Sequence, residues 1–305
     1  MSGLALAAAL VLDALLGEPR WLWDRFPHPV VLMGRAITWL EGRLNSGAGR
    51  RLKGTALVAL GVMGLGILGW GVERLPLGEI VGVIAAAILI AQRSLSDHAR
   101  TVANALRMSL RAGRRSVAMI VGRDTREMSE PEVTRAAIES VAENFSDGVI
   151  APAFWYLVAG LPGILIYKAI NTADSMIGYR TEQYLEFGWA AARLDDLLNW
   201  IPARLSAALI AICHGSGAAW RAAVMDGPKH RSPNAGWPEA AMARVLNIAL
   251  SGPRHYHGRR EDHPFVHPSG ARDIGPEEID AACAVIWRCW WAFIGLALSI
   301  GWLVS

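Results

Sequence analysis

The chain has 305 residues, 53% hydrophobic and 19% charged, against about 25% charged in an ordinary soluble domain, and its mean hydropathy is +0.28. The apolar residues fall in long blocks rather than at the spacing of a soluble core, so the composition excludes an ordinary soluble domain and is that of a membrane protein. A formal net charge of +3 argues for no particular partner.

The first apolar run is residues 4 to 17. No positive charge precedes it and Asp13 interrupts it, so it reads as retained sequence rather than a secretory signal. At its end "FPHPVVLMGR" brackets His28 with two prolines, which fix an extended turn. Residues 54 to 72 are a charge-free run long enough to cross a hydrocarbon core of about 30 Å. The "GLGILG" within it matches a dinucleotide fingerprint but lacks the strand and acid that motif needs, so its glycines read as close helix packing.

After a shorter run at 76 to 92, residues 93 to 148 read as helical. Leu95, Val102, Leu106 and Leu110 keep a three-and-four spacing, "VGRDTREM" breaks the pattern, and Ser129 with Glu132 predicts a capping box that starts a new helix. On that helix Glu132, Glu139 and Glu143 fall near one stripe with Arg135, ending at Asn144 to Asp147.

The next run, 149 to 167, is interrupted by "GLPG", and interrupted helices at membrane depth are tolerated where they pack in protein or line a polar cavity. Beyond it lie "YKAINTADSMIGYR", with Lys168, Asn171, Thr172, Asp174, Ser175 and Arg180, and "ARLDDLLNWIPAR", with Asp195, Asp196, Asn199 and Arg204. Residues 205 to 219 are again apolar. The proline-rich "RHYHGRREDHPFVH" carries His255, His257, His263 and His267 and reads as a charged connector rather than a metal site. Residues 282 to 304 are the last membrane-length run, and Asp13 and Arg288 read as side chains that snorkel from their runs to the interface. Cys213, Cys283 and Cys289 lie in apolar runs without paired spacing and read as packing residues.

Of the 30 Lys and Arg, 24 lie in residues 18–53, 93–148 and 220–281, which makes those segments cytoplasmic by the positive-inside tendency. Six crossings would put residues 168–204 on the opposite side from Glu143 and Asp147. If 149–167 and 205–219 instead enter and leave on the cytoplasmic side, four spans remain and both polar clusters meet, and that is the arrangement expected here. The fold class is therefore all-α: one polytopic, membrane-embedded domain over 1–305 with four to six membrane segments, broken or re-entrant helices and cytoplasmic helical loops.

The chemistry resides in one constellation: carboxylates Asp124, Glu143, Asp147, Asp174, Asp195 and Asp196, cations Arg123, Lys168 and Arg180, and neutral donors Asn144 and Ser175. Hard carboxylate oxygens suit Mg²⁺, and Arg or Lys suits phosphate. There is no phosphate loop and no H-E-x-x-H zinc pattern.

The strings "PHPV", "GRDT", "RAAIESVAENFSDGVIAP", "YKAINTADSMIGYR", "ARLDDLLNWIPARL" and "SPNAGWPEAAMA" resemble the CobD/CbiB family, the adenosylcobinamide-phosphate synthases. The resemblance implies a multi-pass enzyme of the bacterial inner membrane that joins (R)-1-aminopropan-2-ol O-phosphate to the free propionate carboxyl of adenosylcobyric acid. ATP and Mg²⁺ are implied, with an adenosylated corrinoid as substrate, the lipid bilayer and other late cobalamin-pathway membrane enzymes as partners, and no nucleic acid.

On that chemistry, Asp147 and Asp174 hold Mg²⁺ beside Asn144 and Ser175, Glu143 is the base, and Arg123, Lys168 and Arg180 receive phosphates. His28, Asp124, Asn171, Asp195, Asp196, Asn199, Arg204 and Asn234 complete the expected binding set. The chain departs from the family where Ser251 and Gly252 replace a glycine pair and Arg244 stands where glycine is common. A membrane regulator related to β-lactamase control and a transporter are the other readings.

Overall fold

The computed structural model describes residues 3–256 and 259–304. They are helical almost throughout: α1 (Gly3–Leu16), α2 (Arg20–Trp23), α3 (Pro29–Leu44), α4 (Arg50–Glu73), α5 (Gly78–Leu89), α6 (Gln92–Met108), α7 (Leu110–Val117), α8 (Glu130–Phe145), α9 (Ala151–Ile177), α10 (Trp189–Leu198), α11 (Trp200–Cys213), α12 (Gly217–Asp226), α13 (Gly236–Leu246) and α14 (Pro276–Val304). Among the described residues the only strands are four short ones: β1 (Leu250–Ser251) pairs antiparallel with β4 (Phe265–Val266), and β2 (Arg254–Tyr256) with β3 (Arg259–Glu261). His257 of the histidine-rich connector lies outside the described residues.

Four helical stretches are long and apolar enough to cross a membrane: Arg50–Glu73, Gly78–Met108, Glu130–Ile177 and Pro276–Leu303. The bent pair Trp189–Leu198 and Trp200–Cys213 would make a fifth. The protein is thus an all-α, polytopic membrane protein. At 14 residues α1 is shorter than the roughly 20 a span needs. Asp13 on α1 is buried, at 3% exposure, so it does not snorkel as the sequence led us to expect, whereas Arg288 is exposed.

The chain divides into two compact units, each built from separate stretches: Met1–Ala91, Asp147–Trp200 and Ala297–Ser305 form one, and Gln92–Ser146 and Ile201–Leu296 the other. In the first unit α4 is the least covered of the membrane-length helices, only 11% buried over its apolar window. Ile37, Val58, Ile170, Ala173, Ile177, Phe187, Ala190 and Ala191 form a core that joins α3, α4, α9 and α10. Two glycines set how closely α4 is approached. A Cβ at Gly54 would strike the carbonyl of Phe187, and one at Gly69 would strike the backbone of Pro162. Of the "GLGILG" glycines, Gly69 makes the close helix approach its apolar setting predicts, Gly66 meets Ile166 at ordinary contact distance, and Gly64 meets nothing within 4 Å.

The interruption in α9 is a reversal. Ala159 (φ −136°, ψ 18°) and Gly160 (φ 63°, ψ −150°) leave helical geometry, and Gly160 occupies a region open essentially to glycine alone. The Tyr167 hydroxyl lies 2.8 Å from the Asp147 carbonyl oxygen, whereas twenty residues of straight helix would separate them by about 30 Å. The helix therefore goes out over Ala151–Val158, turns, and comes back over Leu161–Ile177. At the turn the Leu161 N–H donates to Glu73 Oε1 on α4 at 2.7 Å, while Pro162 has no N–H to satisfy. The run at 149–167 does not cross as one straight helix, in keeping with the re-entrant expectation.

In the second unit α6 buries Ala99, Val102, Ala103 and Leu106 where it packs against α7 and α8. Helix α8 begins at the expected capping box, with the Ser129 N–H donating to Glu132 Oε2 at 2.7 Å. It runs to Phe145 and passes through a π turn, Ser146–Ile150, into α9. The glycine pair missing at 251–252 has a conformational basis: Ser251 (φ 61°) and Gly252 (φ 85°) are both left-handed, where a side chain is strained.

Two substitutions test the reversal. Gly160→Ala is expected to destabilise the protein by about 1–3 kcal/mol through backbone strain, and Glu73→Ala by a similar amount, about 1–3 kcal/mol, by leaving the Leu161 N–H unpaired. Unfolding in detergent measures both; unchanged stability in Gly160→Ala would mean the turn relaxes at no cost.

Candidate functional site

The second leg of α9 carries a polar stripe, Tyr167, Lys168, Asn171, Asp174 and Ser175, at helical spacing. Its depth follows from its contacts with α4. Pro162 lies at Gly69, Ile166 reaches to 3.6 Å from a Cβ position on Gly66, and Ile170 shares a core with Val58. Tyr167 is therefore level with the middle of α4's apolar length. Polar and ionisable groups at such depth mark functional sites by default.

Here they form a network with α10. Asp195, only 9% exposed, accepts from Asn171 Nδ2 at 3.2 Å and from Asn199 Nδ2 at 3.0 Å. Asn199 Oδ1 lies 2.9 Å from the Tyr167 hydroxyl, the same hydroxyl that meets the Asp147 carbonyl. Lys168 is 9% exposed and feels Asp147, Glu18 and Asp195 as its nearby acids. Asp174 acts on Asp195 as a like charge, and its Oδ1 lies over the Cα of Gly178, where a Cβ would collide with it. Ser175 Oγ donates to the Asn171 carbonyl at 2.9 Å and faces out. Asp147 sits in the π turn, a motif frequent at functional sites, and the next carbonyl, Gly148, accepts from Ala91 N–H at 3.0 Å.

His28 borders this network and caps α3. Its Nδ1 accepts from the Val30 N–H at 3.2 Å, and its Nε2 lies 3.2 Å from the Ile88 carbonyl, so the ring is neutral with its proton on Nε2. Both nitrogens are used inside the chain, as a structural turn histidine requires. Burial pushes its pKa below the ordinary imidazole value and Lys168 adds to that, while Glu18 and the Ile88 carbonyl oppose it.

In the second unit Arg123 and Glu139 form a buried pair at 2.8 Å, their side chains 9% and 7% exposed. The other oxygen of Glu139 accepts the Ser251 N–H at 2.7 Å, so one carboxylate ties the "GRDT" loop and the β1 strand to α8. Asp124 is engaged by its neighbour Arg126, with Nη2 2.6 Å from Oδ2. Glu143 and Asn144 lie on the exposed side of α8, and Asn144 Nδ2 donates back to the Ser140 carbonyl at 2.9 Å. Arg204 on α11 donates to Asn234 Oδ1 at 3.2 Å and stacks 4.4 Å over Trp237. The Ser232 hydroxyl shapes that turn by accepting from the Asn234 and Ala235 N–H groups, each at 3.2 Å. His267 lies 2.9 Å from Asn247 Oδ1 and beside Arg244.

Within the first unit the expected residues Asp147, Lys168, Asn171, Asp195 and Asn199 are therefore one cluster, with Asp174 and His28 at its edge. Arg180 and Asp196 act on each other with Arg193 at its exposed margin. Within the second unit Arg123, Asp124 and the Arg204–Asn234 pair are separate anchors. Tyr167, Glu18, Trp237 and Glu73 join these sites without a motif to mark them, and Glu139 stands opposite Arg123 rather than on an open stripe. The i,i+4 placement of Tyr167 and Asn171 on one helix face is legible in the sequence; a partner 16 residues away, as Glu139 is to Arg123, is not.

Among the described residues no group of three or more His, Cys, Asp or Glu could enclose a metal ion. Mg²⁺ is commonly held by only one or two carboxylates, with water and substrate phosphate completing its shell; Asp174, a like charge beside Asp195, offers one such carboxylate and Asp147, in the π turn, another.

A family model described as "CobD/Cbib protein" matches residues 6–286. A protein of Sinorhizobium sp named "Cobalamin biosynthesis protein CobD" is 49% identical over 97% of this chain and 97% of its own length. The protein of that name from Rhizobium meliloti (strain 1021) is 49% identical over 93% and 92%, and that from Rhodobacter capsulatus is 46% identical over 97% and 95%. No solved structure matches.

Two outcomes follow. Because the His28 pKa is depressed on folding, its contribution to stability is complete above the unfolded value of about 6.5 and is lost as pH falls through the folded value. Stability against pH should drop below about 6.5, and His28→Asn, which caps without titrating, should flatten that drop. Glu139→Gln keeps an acceptor for Ser251 but leaves Arg123 buried without its counter-charge, for an expected loss of about 3–5 kcal/mol in chemical unfolding.

Proposed function

The chain belongs to the CobD/Cbib family, and from that premise we propose that it acts in cobalamin biosynthesis as an amide-forming ligase of the inner membrane, joining aminopropanol phosphate to adenosylcobyric acid with ATP. The observation that carries the reading is the network of Asp195, Asn171, Asn199, Tyr167 and Lys168 buried at membrane depth. A structural helix bundle has no need of it.

A carboxylate does not acylate an amine unaided. In the proposed reaction a carboxylate oxygen of the corrinoid attacks the terminal phosphorus of ATP, the bond to the bridging oxygen breaks, and ADP leaves. The amine nitrogen then attacks the acyl carbon, the C–O bond breaks, phosphate leaves, and the ammonium proton passes to a base. Asp147 and Asp174 would hold Mg²⁺, which when bound neutralises phosphate charge. Lys168 lies among Asp147, Glu18 and Asp195, positioned to receive a phosphate oxygen. Arg180 takes the same role at the exposed margin of the cluster, whereas Arg123 is held by Glu139, and Glu143, exposed on α8, is proposed as the base. Asp195, fixed by two amides, keeps the stripe on α9 in register with α10. Restricting water around the acyl phosphate is what a site at this depth adds, since water would compete with the amine.

The functional loops are proposed to face the cytoplasm, where 24 of the 30 Lys and Arg fall and where ATP is available. The interrupted α9 also suits a transporter, which would show corrinoid flux without new bonds.

Purified protein incubated with adenosylcobyric acid, aminopropanol phosphate and MgATP should give the amide by mass spectrometry, and none when nucleotide is withheld. Asp147→Asn and Lys168→Gln should each lower kcat by roughly 10²-fold or more with the fold intact. Near-normal turnover in Asp147→Asn would remove that residue from the site, and flux in proteoliposomes without amide would replace the ligase by the transporter.

A further inference from the structure

On the side of α9 away from the polar stripe, a groove of about 510 Å³ runs between α3, α4 and α9. Its walls include Met33, Leu40, Leu57, Leu65, Ile166 and Ile170, and its charged lining residue is Lys53. We propose that this groove binds one anionic phospholipid, an acyl chain lying along α4 and the headgroup phosphate at Lys53.

Three observations select that occupant. The groove lining on α4 extends from Lys53 to Leu65, twelve residues or about 18 Å of helix, close to the depth of one leaflet of a core about 30 Å thick. Its long axis follows a helix that is itself exposed to the bilayer, with Leu52, Leu60, Met63, Ile67 and Leu68 all more than half exposed. An acyl chain is the apolar molecule already present there and aligned with it.

The charge lies where a headgroup would be. Lys53 is in the first turns of α4 with Arg50 and Arg51. Lys53 Nζ uses one of its three donors on the Ser46 carbonyl at 2.8 Å. Arg50 is turned to the Glu182 carbonyl at 3.4 Å, and Arg51 is stacked 3.9 Å over Trp189. The acid on the facing helix, Glu41, is occupied by the amides of Asn45 and Gln183, at 3.0 Å and 3.2 Å. Lys53 thus stands as a cation over an apolar slot, complementary to a headgroup of net negative charge more than to a zwitterionic one, whose own cation would oppose it.

The test uses the full-length protein in nanodiscs of mixed phosphatidylglycerol and phosphatidylcholine, extracted into detergent, with lipid retained per chain measured by native mass spectrometry. One phosphatidylglycerol per chain should remain, in preference to phosphatidylcholine. Lys53→Gln should cut that preference about fivefold or more. Gly61 lines the groove, and a Cβ there would meet nothing within 4 Å, so Gly61→Phe should fill the slot without disturbing the backbone and abolish retention of either lipid.

Equal retention of the two lipids, retention unchanged in Gly61→Phe with a normal circular dichroism spectrum, or no lipid retained at all would overturn the proposal. So would a corrinoid or a second copy of the chain taking the groove in the same spectra. Lys53→Gln and Gly61→Phe lie outside the polar network, so ligase activity in the same preparations reads the two proposals separately.

Discussion

The polar cluster of the first unit depends on the reversal of α9 at Ala159 and Gly160. A helix that continued straight would carry Tyr167 about 30 Å from Asp147; by turning back it places them in hydrogen-bonding distance. Reversing a helix leaves backbone groups without their helical partners, here beside Glu73 at the end of α4's apolar length. Three local choices meet that cost: glycine at the turn, a carboxylate from Glu73 on the freed Leu161 N–H, and proline as the next residue, with no N–H to place.

What the reversal assembles is a network in which Asp195 is matched to amide donors and the single Tyr167 hydroxyl proton is shared between two acceptors, the Asp147 carbonyl and Asn199 Oδ1. Asp195 takes two amide donors, and Asn199 both gives to Asp195 and receives from Tyr167. Buried networks of this kind are stable only when satisfied, and a half-satisfied one is worse than an apolar core. Glu139 follows the same logic in the second unit, where its two oxygens answer Arg123 and the Ser251 N–H. Glu139 fixes loop backbone as well as countering charge, whereas Asp195 ties together two side-chain amides.

The second leg of α9 serves two environments at once. Tyr167, Asn171 and Asp174 share one face, while Ile166, Ala169, Ile170 and Ala173 share another that borders the groove against α3 and α4. A helix with polar and apolar stripes is ordinarily read as lying at a water interface. Here the polar stripe meets α10, so the amphipathic pattern reports protein on one side and an apolar slot on the other.

Much of this was legible in the sequence. Apolar block lengths determined the membrane class, because crossing a hydrocarbon core needs a minimum helix length. Ser129 with Glu132 marked the start of α8, because a capping box is a contact across one turn, and "GLPG" marked the interruption of α9, because glycine and proline act on their own backbone. The strings shared with the family determined the choice of candidate residues.

Tertiary structure alone decided the rest. Whether "GLPG" kinked or reversed the chain depended on Glu73, nearly ninety residues away in sequence. The pairing of Arg123 with Glu139, the matching of Asn199 to Tyr167, the burial of Asp13 and the capping role of His28 are contacts between elements brought together by packing. The sequence by itself determines what is local, since period, caps and backbone breakers act within a turn or two. Which polar groups share a site is set by the fold, because contacts distant in sequence leave no spacing from which to read them.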